Sequence, residues 1–383
     1  MLLERMQDGG RKILISGGGR CNILPSSDRP ERFVTSSSRH SLRNMLRSWP
    51  LADQKAFFER ELHTSLVLEP ETGKLFPASN KARDVRDGLL RLARQEGVRF
   101  TPHSRVIRLD PPMGDENAWM IRLDRGQPIR ASCVILATGG LSVPKTGSDG
   151  LGIAEVRRLG LTVHETYPAL TPLTATPPRH AHLAGVSLDV TIRAPGHRPA
   201  FTTTGGFLFT HHGYSGPAVL DASHIVVRSS DSDRKLTVCW TRKSSTEWDE
   251  ALRDTRGRIG TLLSRHVPSR LADQLLVEAG LSLTIRQDQL KREERRGLVK
   301  LLTEYALPCT GHEGYKKAEV TGGGVSLAEV NPRTMESHRH KGLYLCGEML
   351  DAFGPIGGFN FQWAWSTGRA AGLGASGAAD PPG

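Results

Sequence analysis

The segment Leu343 to Gly368, LYLCGEMLDAFGPIGGFNFQWAWSTG, constrains this chain more than any other. A short apolar run reaches Gly347, Glu348 and Asp351 follow, and Gly357-Gly358 precede a run of aromatic and small residues that reads as a helix, Gln362 to Leu373. Glycine lets the backbone turn sharply and lets a flat or charged ligand approach it closely. A helix start adds free N–H groups and positive dipole density. Strand, glycine turn and helix start together suit a pyrophosphate, or the edge of a flavin that turns anionic on reduction. Two other segments carry part of the same pattern: ISGGGRCN, Ile15 to Asn22, and VILATGG, Val134 to Gly140. Lys12 to Ser16 reads as a strand running into the first. One glycine turn is ordinary at a sheet edge. Three of them, with Glu4 ahead of the first, are far more specific.

The start of the chain adds a second constraint. Leu2-Leu3-Glu4 reads as a strand that closes on an acidic residue. In a dinucleotide-binding βαβ unit such a residue holds ribose hydroxyls, about 20 residues after a glycine-rich phosphate turn. No such turn precedes Leu2 in this sequence.

Periodicity supplies the rest of the outline. Ser38 to Trp49 is an amphipathic helix ended by Pro50, and Ala52 to Leu62 reads as a second. Asn80 to Glu96 is the clearest helix, with Asn80 as its cap and Gly97 as its end. Arg105–Asp110, Trp119–Asp124 and Ile129–Ala137 read as a three-strand meander. Asp149 to Gly160 reads as a helix. From Pro168 to Ser244 the chain is rich in Thr, Val, Pro and Gly, with strands expected at Ser187–Arg193 and Lys235–Trp240; this reads as a barrel-like β domain. Glu247 to Glu304 is helical and charged. Short strands return from Val320, including Lys341–Gly347, and the tail from Ala375 to Gly383 is low in complexity. The expected organisation is 1–167, the first part of a ligand-binding domain; 168–246, an inserted β domain; 247–305, a helical subdomain of the insert; and 306–383, the return of the insert and the C-terminal part of the first domain.

Composition narrows the function classes. The 383 residues allow two or three domains. The five cysteines are odd in number, widely spaced and without a CxxC. That argues against a disulfide framework, a zinc ribbon or a dithiol redox pair, and suits a reducing, cytoplasmic setting. No HExxH or other metal spacing stands out among the 14 histidines, so no metal is expected. The longest apolar runs are strand-length, far below the roughly 20 residues of a membrane span, and no secretory signal pattern is visible. The net charge of +11 suits nucleic acid or anionic metabolites as partners, and equally a plain solvated surface.

These motifs resemble the BaiN/RdsA-like (YhiN) family of NAD(P)/FAD-dependent flavoproteins. The matching stretches are GRKILISGGGRCN, TGKLFPASNKARDV, LATGG, GFLFTHHGYSGPAVLDAS, AEVTGGGVSLAEV and GLYLCGEMLDAFGPIGGFNFQWAWSTGRAAG, in the family's order along nearly the whole chain. The resemblance implies an α/β fold: an FAD-binding, two-dinucleotide-binding (Rossmann-like) domain with an inserted β-barrel and a helical subdomain. It implies a flavin-dependent oxidoreductase with NAD(P)H as electron donor, acting on an electron-poor C=C or C=O of a small molecule, or on uridine in ribosomal RNA. Members begin with a strand, a GxGxxG turn and a helix ahead of the segment matching Leu2–Glu4. Two readings follow: a gene model that starts late, or a shortened product that no longer holds FAD tightly and is not catalytic.

Residue roles follow from the same resemblance. Glu4 would bind the adenosine ribose, and Val106 would meet the adenine through its backbone. Arg11 and Lys12 would lie near the phosphates, or be solvated. Ser16, Gly17, Gly18 and Asn22 would line the flavin. Thr138 and Gly139 would pass under the cofactor. Gly347, Glu348 and Asp351 would contact ribityl or phosphate groups, and Gly357, Gly358, Phe359 and Asn360 would present N–H groups to the isoalloxazine, with Phe359, Trp363 and Trp365 packing. No general acid declares itself. Cys21 is a proton donor beside the flavin or an inert turn residue. His211, beside His212 in the inserted domain, faces substrate or is a loop histidine bonded to backbone.

Overall fold

Two stretches far apart in sequence, Met1–Tyr167 and Glu319–Gly383, form one compact unit, and Pro168–Ala318 forms another. The computed structural model describes residues 1–113, 118–229 and 236–377. In chain order the first stretch contains β1 (Leu2–Leu3), α1 (Arg11–Ile15), β2 (Leu24–Pro25), α2 (Arg39–Arg47), α3 (Leu51–Arg60), β3 (Leu66–Glu69), β4 (Lys74–Pro77), α4 (Ala82–Gln95), β5 (Phe100–Thr101), β6 (Val106–Asp110), β7 (Trp119–Leu123), β8 (Ile129–Ala131), β9 (Val134–Leu136), α5 (Leu151–Arg158) and β10 (Val163–Ala169).

The amphipathic segments fold as their spacing predicts. Ser38 caps α2 through its hydroxyl, and α2 buries Leu42, Met45 and Leu46. The α4 start differs in detail from the expectation. Asn80 is not its cap: it takes a left-handed turn conformation at φ 53°, which asparagine tolerates, and Lys81 precedes the first helical residue. Gly97, at φ 76°, turns the chain after the helix.

Two strand readings are corrected. Lys12–Ser16 is not a strand: Arg11–Ile15 is a helical turn that runs into a 3₁₀ turn at Ser16–Gly19. Left-handed Gly17 and Gly18 coil the chain there, and the Ser16 hydroxyl donates back to the Ile13 carbonyl at 2.7 Å. Three apolar residues in a row carry too little period to tell the two structures apart. The Ile129–Ala137 run is two strands in different sheets. β8 closes the antiparallel meander β6-β7-β8, whereas β9 joins a parallel ladder farther along.

The second unit contains β11 (Leu173–Thr174), β12 (Ser187–Ala194), β13 (Phe201–Phe209), β14 (Gly213–Ser215), α6 (Pro217–Arg228), β15 (Thr237–Cys239), α7 (Ser245–Asp254), α8 (Ile259–Leu263), α9 (Ser269–Glu278), α10 (Arg292–Thr303), β16 (Tyr305–Ala306) and β17 (Gly311–His312). Its seven strands run in the order β16-β15-β12-β13-β14-β11-β17. Laid flat, such a sheet would be about 29 Å across at roughly 4.8 Å per strand. The two edge strands are joined by the chain from Ala306 to Gly311, which reaches at most about 18 Å. The sheet must therefore curl back on itself, although no ladder joins β16 to β17. α6 packs against β12 and β13. Lys235, expected at the start of the β15 strand, lies outside the described residues. A reciprocal Ser244–Glu247 cap starts α7.

The chain then adds β18 (Val320–Val325), β19 (Leu343–Leu345) and α11 (Phe359–Ser376) to the first unit. β18 pairs with β10. β19 pairs in parallel with β9, Val134 to Leu136 facing Leu343 to Leu345. β1 pairs in parallel with β5. Trp119, Leu343, Leu345 and Trp363 are part of this unit's core. Of the low-complexity tail, Ala375 and Ser376 still belong to α11, and 378–383 lie outside the described residues.

Candidate functional site

The parallel β9–β19 ladder brings two glycine-rich strand ends side by side, and the N-terminus of α11 draws in the third. Asn22, at the end of the first segment, is buried. In the amide orientation that satisfies both its ends, its oxygen accepts from the Gly358 N–H at 2.9 Å and its nitrogen donates to the Leu24 carbonyl. Gly358, at φ 91°, sits so close to Leu24 that a Cβ there would lie 2.4 Å from the Leu24 carbonyl carbon. Trp365 donates its ring N–H to the Ile23 carbonyl at 3.2 Å. Gly347 donates to the Thr367 hydroxyl at 2.9 Å, and Trp363 donates to the Gly347 carbonyl at 3.0 Å. Asn360 closes the loop before the helix with two bonds to Gly354, each 2.9 Å. The aromatic residues of this motif thus pack and tether. Phe359 is buried against Phe33.

A carboxylate ties the same segments together. Glu348 accepts from the Lys12 ammonium, from the Ser142 hydroxyl and from the Thr321 N–H at 2.9 Å. Lys12 also donates to the Ser142 hydroxyl. The Thr321 hydroxyl in turn accepts the N–H groups of Leu141, at 2.7 Å, and Ser142, at 3.2 Å. A Cβ on Gly140 would lie 2.3 Å from that hydroxyl, so this position takes only glycine. Ser142 and Thr321 were not among the expected site residues. Thr321 lies within the quoted AEVTGGGVSLAEV, and nothing local marks either hydroxyl as a partner for Glu348.

The other expected residues fall as follows. Glu4 follows β1, and its carboxylate accepts the Met6 N–H at 2.8 Å. Arg11 faces Asp8 at 3.9 Å. Val106 opens β6 opposite Leu123. Thr138 lies over the first turn of α5, where a Cβ on Gly152 would strike its hydroxyl, and Gly139 packs against Ser148. Asp351 is buried and its carboxylate is engaged within the protein: one oxygen accepts from Ser36 N at 2.9 Å, Ser37 Oγ at 2.8 Å and Thr35 Oγ1 at 3.1 Å, with His164 3.6 Å away. Cys21 is fully buried at φ 61°. Burial, partly offset by a bond with Ser16, pushes its thiol up to about 11. A thiol so placed reaches a bound substrate only if its loop opens. His211 lies in the second unit, exposed, in the turn between β13 and β14.

The second unit also buries polar groups outside this site. His180 bonds the Tyr214 hydroxyl at 2.8 Å, Glu278 at 2.9 Å and the Tyr305 hydroxyl at 3.1 Å. Burial raises both tyrosines above their ordinary range. His224 on α6 bonds the Asp221 carbonyl at 2.9 Å, and burial depresses it to about 4.

The residues present in the first unit fit FAD. Gly18 and Gly347 take left-handed φ, and a Cβ on either would project into open space, so a flat ligand can approach the backbone there. The first bond inside α11 runs from Gln362 N to Gly358 O. The N–H groups of the preceding turn thus have no acceptor within the helix and suit an anionic edge. Of the two basic residues in α1, Lys12 is paired with Glu348 and Arg11 faces Asp8.

The family described as "HI0933-like protein Rossmann domain" matches residues 1–374. The ribosomal RNA dihydrouridine synthase of Escherichia coli is 32% identical over 376 residues, 96% of this chain and 89% of the relative. The 3-dehydro-bile acid delta(4,6)-reductase of Clostridium scindens is 30% identical over 388 residues, 98% and 92% of the two chains. Among solved structures, a 3-ketosteroid-delta4-(5alpha)-dehydrogenase from Rhodococcus jostii overlaps at a TM-score of 0.49 with 14% identity, over 98% of this chain and 91% of that one. Its glycine-rich strand ends, gathered on a mixed α/β framework, and the match along nearly its whole length place the chain in the HI0933-like family of Rossmann-domain proteins.

Proposed function

We propose that the chain is a flavin-dependent oxidoreductase that takes electrons from NAD(P)H and reduces a polarised carbon–carbon double bond. The observation that carries this reading is the junction of Asn22 with Gly358 at the start of α11, which sets the first glycine turn against a helix N-terminus. FAD, when bound, supplies reversible hydride transfer. The protein's part is to hold it: glycines 18 and 347 give access to backbone, the α11 start offers N–H groups to an anionic edge, and Lys12 balances the charge of Glu348. The names of both relatives describe saturation of a double bond, in uridine for one and in a bile acid for the other. A double bond conjugated to a carbonyl is the chemistry they share. It accepts hydride at one carbon and a proton at the other, and water is the proton source in this reading. Free cysteines suit a cytoplasmic setting. No helix among the described residues is long and apolar enough to cross a membrane.

The test is direct. Purified protein should be yellow or turn yellow with FAD, and NADPH or NADH should bleach the flavin band without oxygen. Protein that stays colourless with added FAD sinks the proposal.

A structured RNA is the second reading. α2 turns Arg39, Arg43 and Arg47, spaced about one helical turn apart, to solvent, alongside the stripe that buries Leu42, Met45 and Leu46. RNA binding would weaken steeply with salt. Binding that is absent or indifferent to salt dismisses it.

A further inference from the structure

We propose that Lys12 acts on cofactor binding through Glu348, as a positioning and charge-balancing residue rather than as a phosphate ligand. The proposal rests on the flavin-binding reading above. A lysine beside a site for an anionic cofactor is ordinarily expected to reach for phosphate. Here its ammonium is turned inward onto the Glu348 carboxylate and the Ser142 hydroxyl. The pair is largely withdrawn from solvent, with side chains 29% and 15% exposed for Lys12 and Glu348. The other basic residue of α1, Arg11, faces Asp8 instead.

What Lys12 holds is not a loose surface acid. The Glu348 oxygens also accept from Ser142 Oγ and Thr321 N. One carboxylate thereby fastens the turn after β19, the start of β18 and the loop after β9. That loop is held again by the Thr321 hydroxyl. These are the strand ends that carry Gly139, Gly140 and Gly347. Removing Lys12 leaves a partly buried carboxylate with only neutral donors. An unpaired charge so placed is strongly unfavourable, and it also repels any anionic group brought near it. Lys12 makes the carboxylate compatible with an anionic ligand, and the carboxylate keeps the three segments in register.

Double substitution separates this from the alternatives. FAD is titrated into the wild-type chain and into Lys12→Met, Lys12→Arg, Glu348→Gln and the Lys12→Met/Glu348→Gln pair, following flavin fluorescence at low and high salt. Melting of each apoprotein is measured alongside. Lys12→Met should weaken FAD binding roughly ten- to hundredfold. Lys12→Arg, which keeps the charge, should recover much of that loss. The double variant should return to within a few-fold of wild type, because glutamine can still accept from Thr321 N and needs no counter-charge. If the double variant binds as weakly as Lys12→Met, Lys12 contacts phosphate itself and the proposal is overturned. If Lys12→Met lowers the melting temperature but leaves FAD affinity unchanged, the pair is only a structural tie and the proposal is again overturned. Wild-type chain that binds no FAD in the same titration would instead remove the flavin reading, and the inference with it.

Discussion

Replacing Gly358 by alanine isolates the contact on which the candidate site depends. The new methyl would lie 2.4 Å from the Leu24 carbonyl carbon and 2.8 Å from both its oxygen and the Pro25 nitrogen. All three are backbone atoms, which cannot swing aside as a side-chain tip can. Alanine must also adopt φ 91°, a left-handed conformation that costs about 1–2 kcal/mol. Moving the helix start away from Leu24 gives up the Asn22–Gly358 bond, worth about 1 kcal/mol. With the residual crowding, the loss comes to about 3 kcal/mol, or roughly 6–12 °C in melting temperature for a unit of this size. Gly368→Ala is the control. It lies inside the same helix with open space around the added Cβ, and alanine there should stabilise by up to about 1 kcal/mol. Thermal melts of the two variants, followed by tryptophan fluorescence, should move in opposite directions. A Gly358→Ala melt within 2 °C or so of wild type would refute the close approach of Leu24 to the α11 start.

Three further outcomes are expected. His224 has a folded value of about 4 against 6.5 in the unfolded chain, so the unfolded state binds the proton first as pH falls. Its contribution is full above pH 6.5, declines by about 3 kcal/mol in total down to pH 4 and is flat below, and denaturant melts of His224→Leu should lack that slope. Alkylation mapped by mass spectrometry should label the partly exposed Cys133 and Cys309 in the native protein, while Cys21 and Cys346, buried and pushed up to about 11 and 12, stay unmodified until it unfolds. Trp363→Phe keeps the ring but removes the bond to the Gly347 carbonyl; it should cost about 1–2 kcal/mol in melting experiments, and no loss would mean the bond is not formed.

Features set by local period were legible in the sequence, and features set by a distant partner were not. α2 and α4 declare themselves by apolar spacing, and Gly97 marks where the second ends. The helical turn at Arg11–Ile15 did not declare itself, because left-handed glycines beyond it, rather than its own side chains, decide its course. The division of Ile129–Ala137 depends on β7 and β19, and no property of Ser132 or Cys133 announces it. In the site, glycines and the Glu348 carboxylate stood out because few residue types serve those positions. Ser142 and Thr321 did not, since a hydroxyl acquires its role only from what folds against it. Asp351 stood out for the same reason as Glu348, yet its carboxylate holds the backbone and hydroxyls of Thr35–Ser37.

The parallel pairing of Val134–Leu136 with Leu343–Leu345 bears on how the protein is made. On the ribosome the first strand of that ladder emerges long before its partner, and the whole of Pro168–Ala318 is synthesised in between. The intervening unit is contiguous and can fold by itself as it leaves the exit tunnel, as domains generally do. The first strand cannot be completed until then, and its middle residue, Ile135, keeps 42% of its surface exposed even in the finished fold. The nascent chain therefore carries an open apolar strand edge throughout the translation of the inserted unit. Slow elongation or premature termination in that interval should leave a species that sticks to its neighbours, and chaperone capture of stalled chains should peak between the two strands.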